Sequence, residues 1–362
     1  MKPQQLFASD NASPAHPEVV QALSDLSLDH HISYGDDPVT AAAETAVANL
    51  FGRDCEVFFV YNGTGANVSA LRCMASPWEA VICNEMAHIN EDEGGAPEAI
   101  GGFKLLGIHR PDGKLTPSDV KPLLAKRGFE HSNQPAVLSL TQTTEVGTLY
   151  TPEELRDLTS FAHANDLTVH VDGARIANAA ATWYRLQEEA GTPVSATAAL
   201  QAVSSDAGID VLSFGATKNG LLFGEAVVFF NSDLARPYRF ARKQTTQLHS
   251  KMRYIGAQFL RYLKNDLWLQ NALAANEGAR RLAAGLAEIP GYNVALPAEA
   301  NGVFVEVPEG LAPVLQEEFH CYIWNEHRNM VRLMISWDSR SDVVDRLVER
   351  CRELVANIGE TT

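Results

Sequence analysis

Between residues 56 and 230 the chain repeats one motif of hydrophobicity: a short apolar run, a turn, then a helical stretch. The runs are EVFFVY, AVICN, FKLLGI, AVLSLT, LTVHV, IDVLSF and EAVVFF. They are continuous rather than alternating, the pattern of strands buried on both faces in a mostly parallel sheet clothed by helices. The pattern predicts an α/β domain built on seven strands. Two of the intervening helices announce their starts. Thr116-Pro117-Ser118-Asp119 and Thr151-Pro152-Glu153-Glu154 each offer a capping hydroxyl, a proline at the first helical position and an acid at the third. After Asn231 the rhythm changes to helical stretches over residues 246–288, then GVFVEV, a helix, VRLMIS and a last helix over residues 342–356. This predicts a smaller α+β C-terminal domain. The first forty residues hold one amphipathic helix and the turn-rich SYGDDP, too little to fold alone. They are expected to pack on the small domain or on a neighbouring subunit. The predicted division is an N-terminal segment (1–40), a large α/β domain (41–245) and a small domain (246–362).

Composition narrows the class. At 362 residues, 46% apolar and 20% charged, the chain can bury a sizeable core. A net charge of -16 argues against non-specific binding to nucleic acid or anionic membranes, both of which depend on clustered Lys and Arg. An anionic cofactor would therefore need a local positive site. Five scattered cysteines without a CxxC pair suggest neither a disulfide framework nor a thiolate zinc site. No signal-peptide core or membrane-length apolar run is present, so a soluble cytoplasmic protein is expected.

Ligands of open parallel sheets bind at the carboxyl ends of the strands, and four of these ends are chemically loaded. After EVFFVY comes Asn62-Gly63-Thr64-Gly65-Ala66-Asn67, entering a helix whose free N–H groups and dipole suit a phosphate. A tight turn with an N-cap explains the same residues. Val68 stands where a third glycine would complete a dinucleotide fingerprint, which counts against that fold. After LTVHV comes Asp172, an acid that needs a cationic or hydrogen-bonding partner. A pyridinium N–H would meet that need; an ion pair with Arg175, or a metal shared with His170, are the alternatives, and no further ligand spacing supports a metal. After IDVLSF comes Lys218, between a buried strand and the apolar LLFGEAVVFF, where desolvation favours a neutral amine able to form an imine. After AVICN comes His88, which could stack on an aromatic cofactor or relay a proton, while the acids that follow it read as a solvated face or caps.

These segments, together with FASDN, YGDDP, AHINEDEGGAPE, SLTQTTEVG, HVDGARIANA, SFGATKNG, ANGVF and VRLMISWD, resemble in order and nearly end to end the low-specificity L-threonine aldolase family, in particular its phenylserine aldolase-like branch. The resemblance implies the fold-type I pyridoxal-phosphate transferase fold and cleavage of L-β-hydroxy-α-amino acids to glycine and an aldehyde. It implies that Lys218 carries pyridoxal 5'-phosphate as a Schiff base, Asp172 pairs with the pyridine nitrogen, His88 stacks on the ring, and Gly63, Thr64 and Gly65 hold the phosphate. Arg175, beside Asp172, and Arg332 would meet the substrate carboxylate, with Ser9 near it. Tyr34 would come from an adjacent subunit of a homodimer or homotetramer. Many relatives carry a histidine near the substrate hydroxyl where this chain reads Thr141-Gln142-Thr143-Thr144-Glu145, so the hydroxyl-side base stays open. Because fold does not fix chemistry, a β-eliminating lyase or aminotransferase on the same scaffold is the alternative reaction, and a non-catalytic binding protein the alternative class.

Overall fold

The structure, a computed structural model, describes residues 5–359. All seven apolar runs are strands of one sheet: β1 (Glu56–Val60), β2 (Glu79–Asn84), β3 (Lys104–Ile108), β4 (Gln134–Thr141), β5 (Thr168–Gly173), β6 (Val211–Phe214) and β7 (Glu225–Phe229). Their spatial order is β1-β7-β6-β5-β4-β2-β3. Only β7 runs against its neighbours; the pairs among β2, β3, β4, β5 and β6 are parallel. The pleat sends alternate residues into two cores, Val57 and Phe59 into one and Phe58 and Val60 into the other. Both faces are therefore apolar, which is why the runs do not alternate.

The two anticipated helix starts behave differently. Thr151 and Glu154 form a reciprocal capping box, and the helix runs Pro152–Ala164. Thr116 and Asp119 cap as well, but that helix stops after Pro117–Val120 and tightens into a 3-10 segment, Lys121–Lys126. Pro122 cannot donate the next helical hydrogen bond.

The smaller antiparallel sheet comprises β8 (Asn293–Val294), β9 (Gly302–Glu306), β10 (Tyr322–Asn325) and β11 (Met330–Met334), in the order β10-β11-β9-β8. GVFVEV and VRLMIS supply β9 and β11; β8 and β10 were too short to be read. The helical stretch near residues 246–288 is two helices, Arg253–Leu263 and Leu267–Ala287, separated by left-handed Asn265 and Asp266. The first packs on the large sheet through Ile255, Phe259 and Tyr262. The second begins in that core with Trp268, Leu269 and Ala272 and ends in the core of the small sheet with Ala279, Leu282 and Leu286. Hydrophobic contacts thus change sheets inside this helix rather than at residue 246, because one long helix can present successive turns to both layers.

The N-terminal segment also divides. Phe7 exchanges backbone hydrogen bonds with Phe319 and Met334 and its ring enters the small core. The helix Pro17–Ser24 instead gives Val19 to the large core. Among the described residues no helix is long and apolar enough to cross a membrane.

Candidate functional site

The carboxyl ends of β2, β4, β5 and β6 lie on one edge of the sheet, where β1 hands over to the helix Gly63–Met74. Because β7 is antiparallel, its first residue, Glu225, lies at the same edge. Two cavities open there. One, of about 450 Å³, is lined by Gly63, Thr64, His88, Asp172, Lys218 and Glu225 among others. The second, of about 380 Å³, is lined by Ser9, His88, Glu145, Arg175, Lys218 and Arg332 among others. Lys218 and His88 border both.

Lys218 sits on a short 3-10 turn, Thr217–Asn219, fastened from several sides. The Glu225 carboxylate accepts from the backbone N–H groups of Ala216 (2.5 Å) and Thr217 (3.4 Å). Asn219 donates to the Tyr262 hydroxyl (2.7 Å) and the Trp268 carbonyl (2.8 Å), while Asn271 donates to the Asn219 carbonyl (2.9 Å). Gly215 just upstream packs so closely on the Ala174 backbone that a Cβ would come within 2.6 Å of it. That approach draws the ends of β5 and β6 together, and with them Asp172 and Lys218.

In the first cavity a chain of polar groups runs inward. Asp172 is buried and accepts from Asn67 Nδ2 (2.8 Å) and the Ala174 N–H (2.9 Å). The same Asn67 amide donates to Glu93 Oε1 (2.9 Å), which also meets His88 Nδ1 (2.9 Å). The bond to Glu93 raises the His88 pKa against the opposing effect of burial, with Asp172 and Glu145 adding to it. Burial raises that of Glu93, opposed by its bonds to His88 and Asn67. Paired with Glu93, His88 therefore holds its proton more firmly than an ordinary imidazole. At the helix N-terminus Asn62 caps the Gly65 N–H (2.7 Å), and Gly63 and Thr64 border the cavity. Gly65 is not among its lining residues; it lies under Gln247, whose side-chain carbonyl accepts from the Tyr61 N–H (3.0 Å).

In the second cavity Arg175 forms a two-pronged ion pair with Asp10, at 2.7 and 2.9 Å. Asn301 supports Asp10 at 3.0 Å. Burial works to raise the Asp10 pKa, but the charges of Arg175 and Lys218 and the hydrogen bonds prevail and hold it at about 2. Arg332 donates to the Ala8 carbonyl (3.1 Å) and lies over the rings of Tyr322 (5.0 Å) and Trp324 (4.9 Å). Its Nε is buried without a hydrogen-bond partner among the described residues. A planar anion entering here meets two fixed guanidinium groups.

Residues 7–309 match the beta-eliminating lyase family. The low-specificity L-threonine aldolase of Pseudomonas aeruginosa is 41% identical over 358 residues, covering 98% of this chain and 97% of its own. The enzyme of the same description from Pseudomonas sp. strain NCIMB 10558 is 40% identical over the same length. The chain belongs to the beta-eliminating lyase family, among the low-specificity threonine aldolases. Its fold superposes on the solved threonine aldolase of Leishmania major with a TM-score of 0.88 at 30% identity, covering 98% of this chain and all of that one. The cofactor of this family is pyridoxal phosphate. The donor set of the first cavity fits it: a helix N-terminus for the phosphate, a buried carboxylate, and a primary amine between the cavities.

The residues singled out from sequence are distributed between the two cavities and their surroundings. Arg175 pairs with Asp10, 165 positions away, so the alternative ion pair with Asp172 does not form, and it borders the second cavity rather than the first. Glu93, read with its neighbours as solvated or capping, is buried against His88. His170 is held by Ser139 (2.9 Å) and Ser213 (3.1 Å), and no cluster able to hold a metal is found among the described residues. Ser9 borders the second cavity and caps the turn after it, accepting from the Asn11 N–H. Tyr34 borders neither; it sits at φ 65°, half exposed, in a separate groove with Phe240 and Arg242. Asp10, Asn67, Glu93, Glu145 and Glu225 were not singled out from sequence. Asp10 carried a signal, since a buried arginine needs a carboxylate and Asp10 lies inside FASDN. Glu225 carried none, because strand direction decides which end of β7 faces the site.

Proposed function

We propose that this protein cleaves the Cα–Cβ bond of L-β-hydroxy-α-amino acids of the L-threonine, L-allo-threonine and phenylserine type, releasing glycine and an aldehyde. The observation that carries the reading is the place of Lys218, on the boundary between a phosphate-suited, acid-backed cavity and a cavity floored by two arginines. The names of the relatives point the same way.

Lys218, Asp172, His88, Gly63 and Thr64 would hold pyridoxal phosphate, with Gly65 shaping the turn. When bound, the cofactor supplies an electron sink for the bond that breaks. Asp172, fixed by Asn67 and the Ala174 N–H, presents a carboxylate oxygen that would accept from a protonated nitrogen of the bound cofactor. Arg175 and Arg332 bind the substrate carboxylate, and Ser9 stands beside them. Because Asp10 braces the first and two aromatic rings the second, the bound amino acid is oriented and not merely retained. His88, with Glu93 behind Nδ1, offers Nε2 to hold or pass a proton between the cavities. Tyr34 stands outside its own chain's site, which suits a residue lent to a neighbouring copy in a homodimer or homotetramer. The five free cysteines suit a reducing cytoplasm.

The test is an assay with L-threonine, L-allo-threonine and phenylserine that follows glycine and aldehyde together. Equal amounts of both are expected. Formation of a 2-oxo acid in place of the aldehyde would replace this reading with β-elimination or transamination.

A further inference from the structure

Two carboxylates lining the second cavity have no hydrogen-bond or ion-pair partner among the described residues: the exposed Asp92 and the more enclosed Glu145. Glu145 lies on the turn of residues 144–147 that follows β4, closed by the Gly147 N–H donating to the Thr144 carbonyl (3.0 Å). The turn is stiff. Thr144 and Thr148 share a hydroxyl hydrogen bond at 2.7 Å, Thr148 donates onward to the Asp112 carbonyl at 2.6 Å, and Val146 is buried against Phe304 and Met330. Glu145 is therefore placed by its neighbours, yet its own carboxylate forms no hydrogen bond or ion pair among the described residues.

Its surroundings set its use. Arg175, Asp172, Lys218 and His88 face it electrostatically, and Arg332 senses its charge from the small sheet. Burial raises its pKa, opposed by the Arg175 charge, so it holds a proton at higher pH than an ordinary glutamate. Glu145 borders the cavity of the arginines and not the cavity of Asp172 and Glu225. The other acids there are unsuited to proton transfer. Asp10, behind Arg175, has its pKa lowered to about 2 by the Arg175 and Lys218 charges, and Asp92 is exposed to solvent. Tyr322 covers the Arg332 guanidinium. A substrate whose carboxylate meets Arg175 and Arg332, and whose amine points to Lys218, has its β-carbon as the remaining reactive end.

We propose that Glu145 is the catalytic base on the hydroxyl side, an assignment that rests on the aldolase reading above. Its carboxylate takes the proton of the substrate β-hydroxyl. The O–H electron pair becomes the second carbon–oxygen bond of the aldehyde. The Cα–Cβ pair stays with Cα, which takes a proton from solvent and leaves as glycine, while Glu145 returns its proton to solvent. The reverse transfers serve synthesis.

The experiment compares two reactions of the holoenzyme: cleavage of a β-hydroxy amino acid, and exchange of a glycine α-hydrogen in deuterium oxide, followed by NMR. Exchange uses the same cofactor, Lys218 and carboxylate clamp but involves no hydroxyl. In Glu145→Gln the cleavage kcat should fall by about 10²–10⁴-fold while exchange persists at the wild-type rate, and the acid limb of the cleavage pH profile should disappear. Glu145→Asp, with a carboxylate one methylene shorter, should recover part of the cleavage and the acid limb. Equal loss of both reactions would assign Glu145 a structural role and overturn the proposal, as would unchanged cleavage in Glu145→Gln. A wild-type protein that exchanges glycine but cleaves none of the three substrates would instead overturn the aldolase reading, and this assignment with it.

Discussion

A guanidinium or carboxylate is fixed in a protein interior only by groups that meet its charge, and the site is built from such meetings. Asp10 is buried, the Arg175 side chain is mostly so, and two hydrogen bonds join them. Removing the acid strands the base, so Asp10→Ala should cost about 3–5 kcal/mol in urea unfolding and raise KM for the amino acid. The Asp10 pKa is lowered from 3.8 to about 2, so the unfolded chain binds this proton first as pH falls. The contribution of Asp10 is complete above about pH 4 and is lost as pH drops through about 2. Lys218→Ala should abolish aldehyde release and the yellow absorbance of bound cofactor; turnover at the wild-type rate would refute its role. Arg332→Gln should chiefly raise KM, and an unchanged KM would remove Arg332 from the carboxylate clamp.

Elements place these residues by direction and spacing. On the helix Gly63–Met74 the first turn offers N–H groups to the cavity, while Asn67, one turn on, reaches both Asp172 and Glu93. Asn67→Ala should therefore weaken cofactor affinity and shift the pH profile through Glu93 and His88, and equilibrium dialysis of the cofactor checks the first effect. Away from the site, Thr151→Ala removes one half of a capping box and should cost about 1 kcal/mol in thermal or urea unfolding with kcat unaltered. The strand runs and the Thr151 cap were legible because each is a local pattern of neighbours. The short strands β8 and β10 were not, since two to four residues carry too little periodicity to be told from loop.

At the scale of the whole molecule two sheets share one long helix, and the N-terminal segment ties into both cores. Deep in the large sheet burial lowers the His170 pKa to about 4, with Asp172 opposing, so folded His170 stays neutral where the unfolded residue gains a proton. Stability should consequently rise with pH between about 4 and 6.5, and His170→Asn should flatten that slope in urea titrations. The proposed sharing of sites between copies has its own test. Mixing Lys218→Ala chains with Tyr34→Ala chains should restore activity that neither has alone, and no recovery would mean that Tyr34 does not serve a neighbour.

The sequence by itself determined the layers and the strand ends, because burial on both faces of a sheet, helix caps and a lysine between apolar runs are consequences of local chemistry. It brought Asp172, Lys218, His88 and the turn at Gly63 to one edge without coordinates. Only the tertiary structure decided the partners: Asp10 for Arg175, Glu93 for His88, Glu225 for the lysine turn, and the unengaged Glu145 facing the arginines. Such pairings depend on which distant segments the fold packs together, and the electrostatic cost of an unmatched buried charge acts on that contact, not on spacing along the chain.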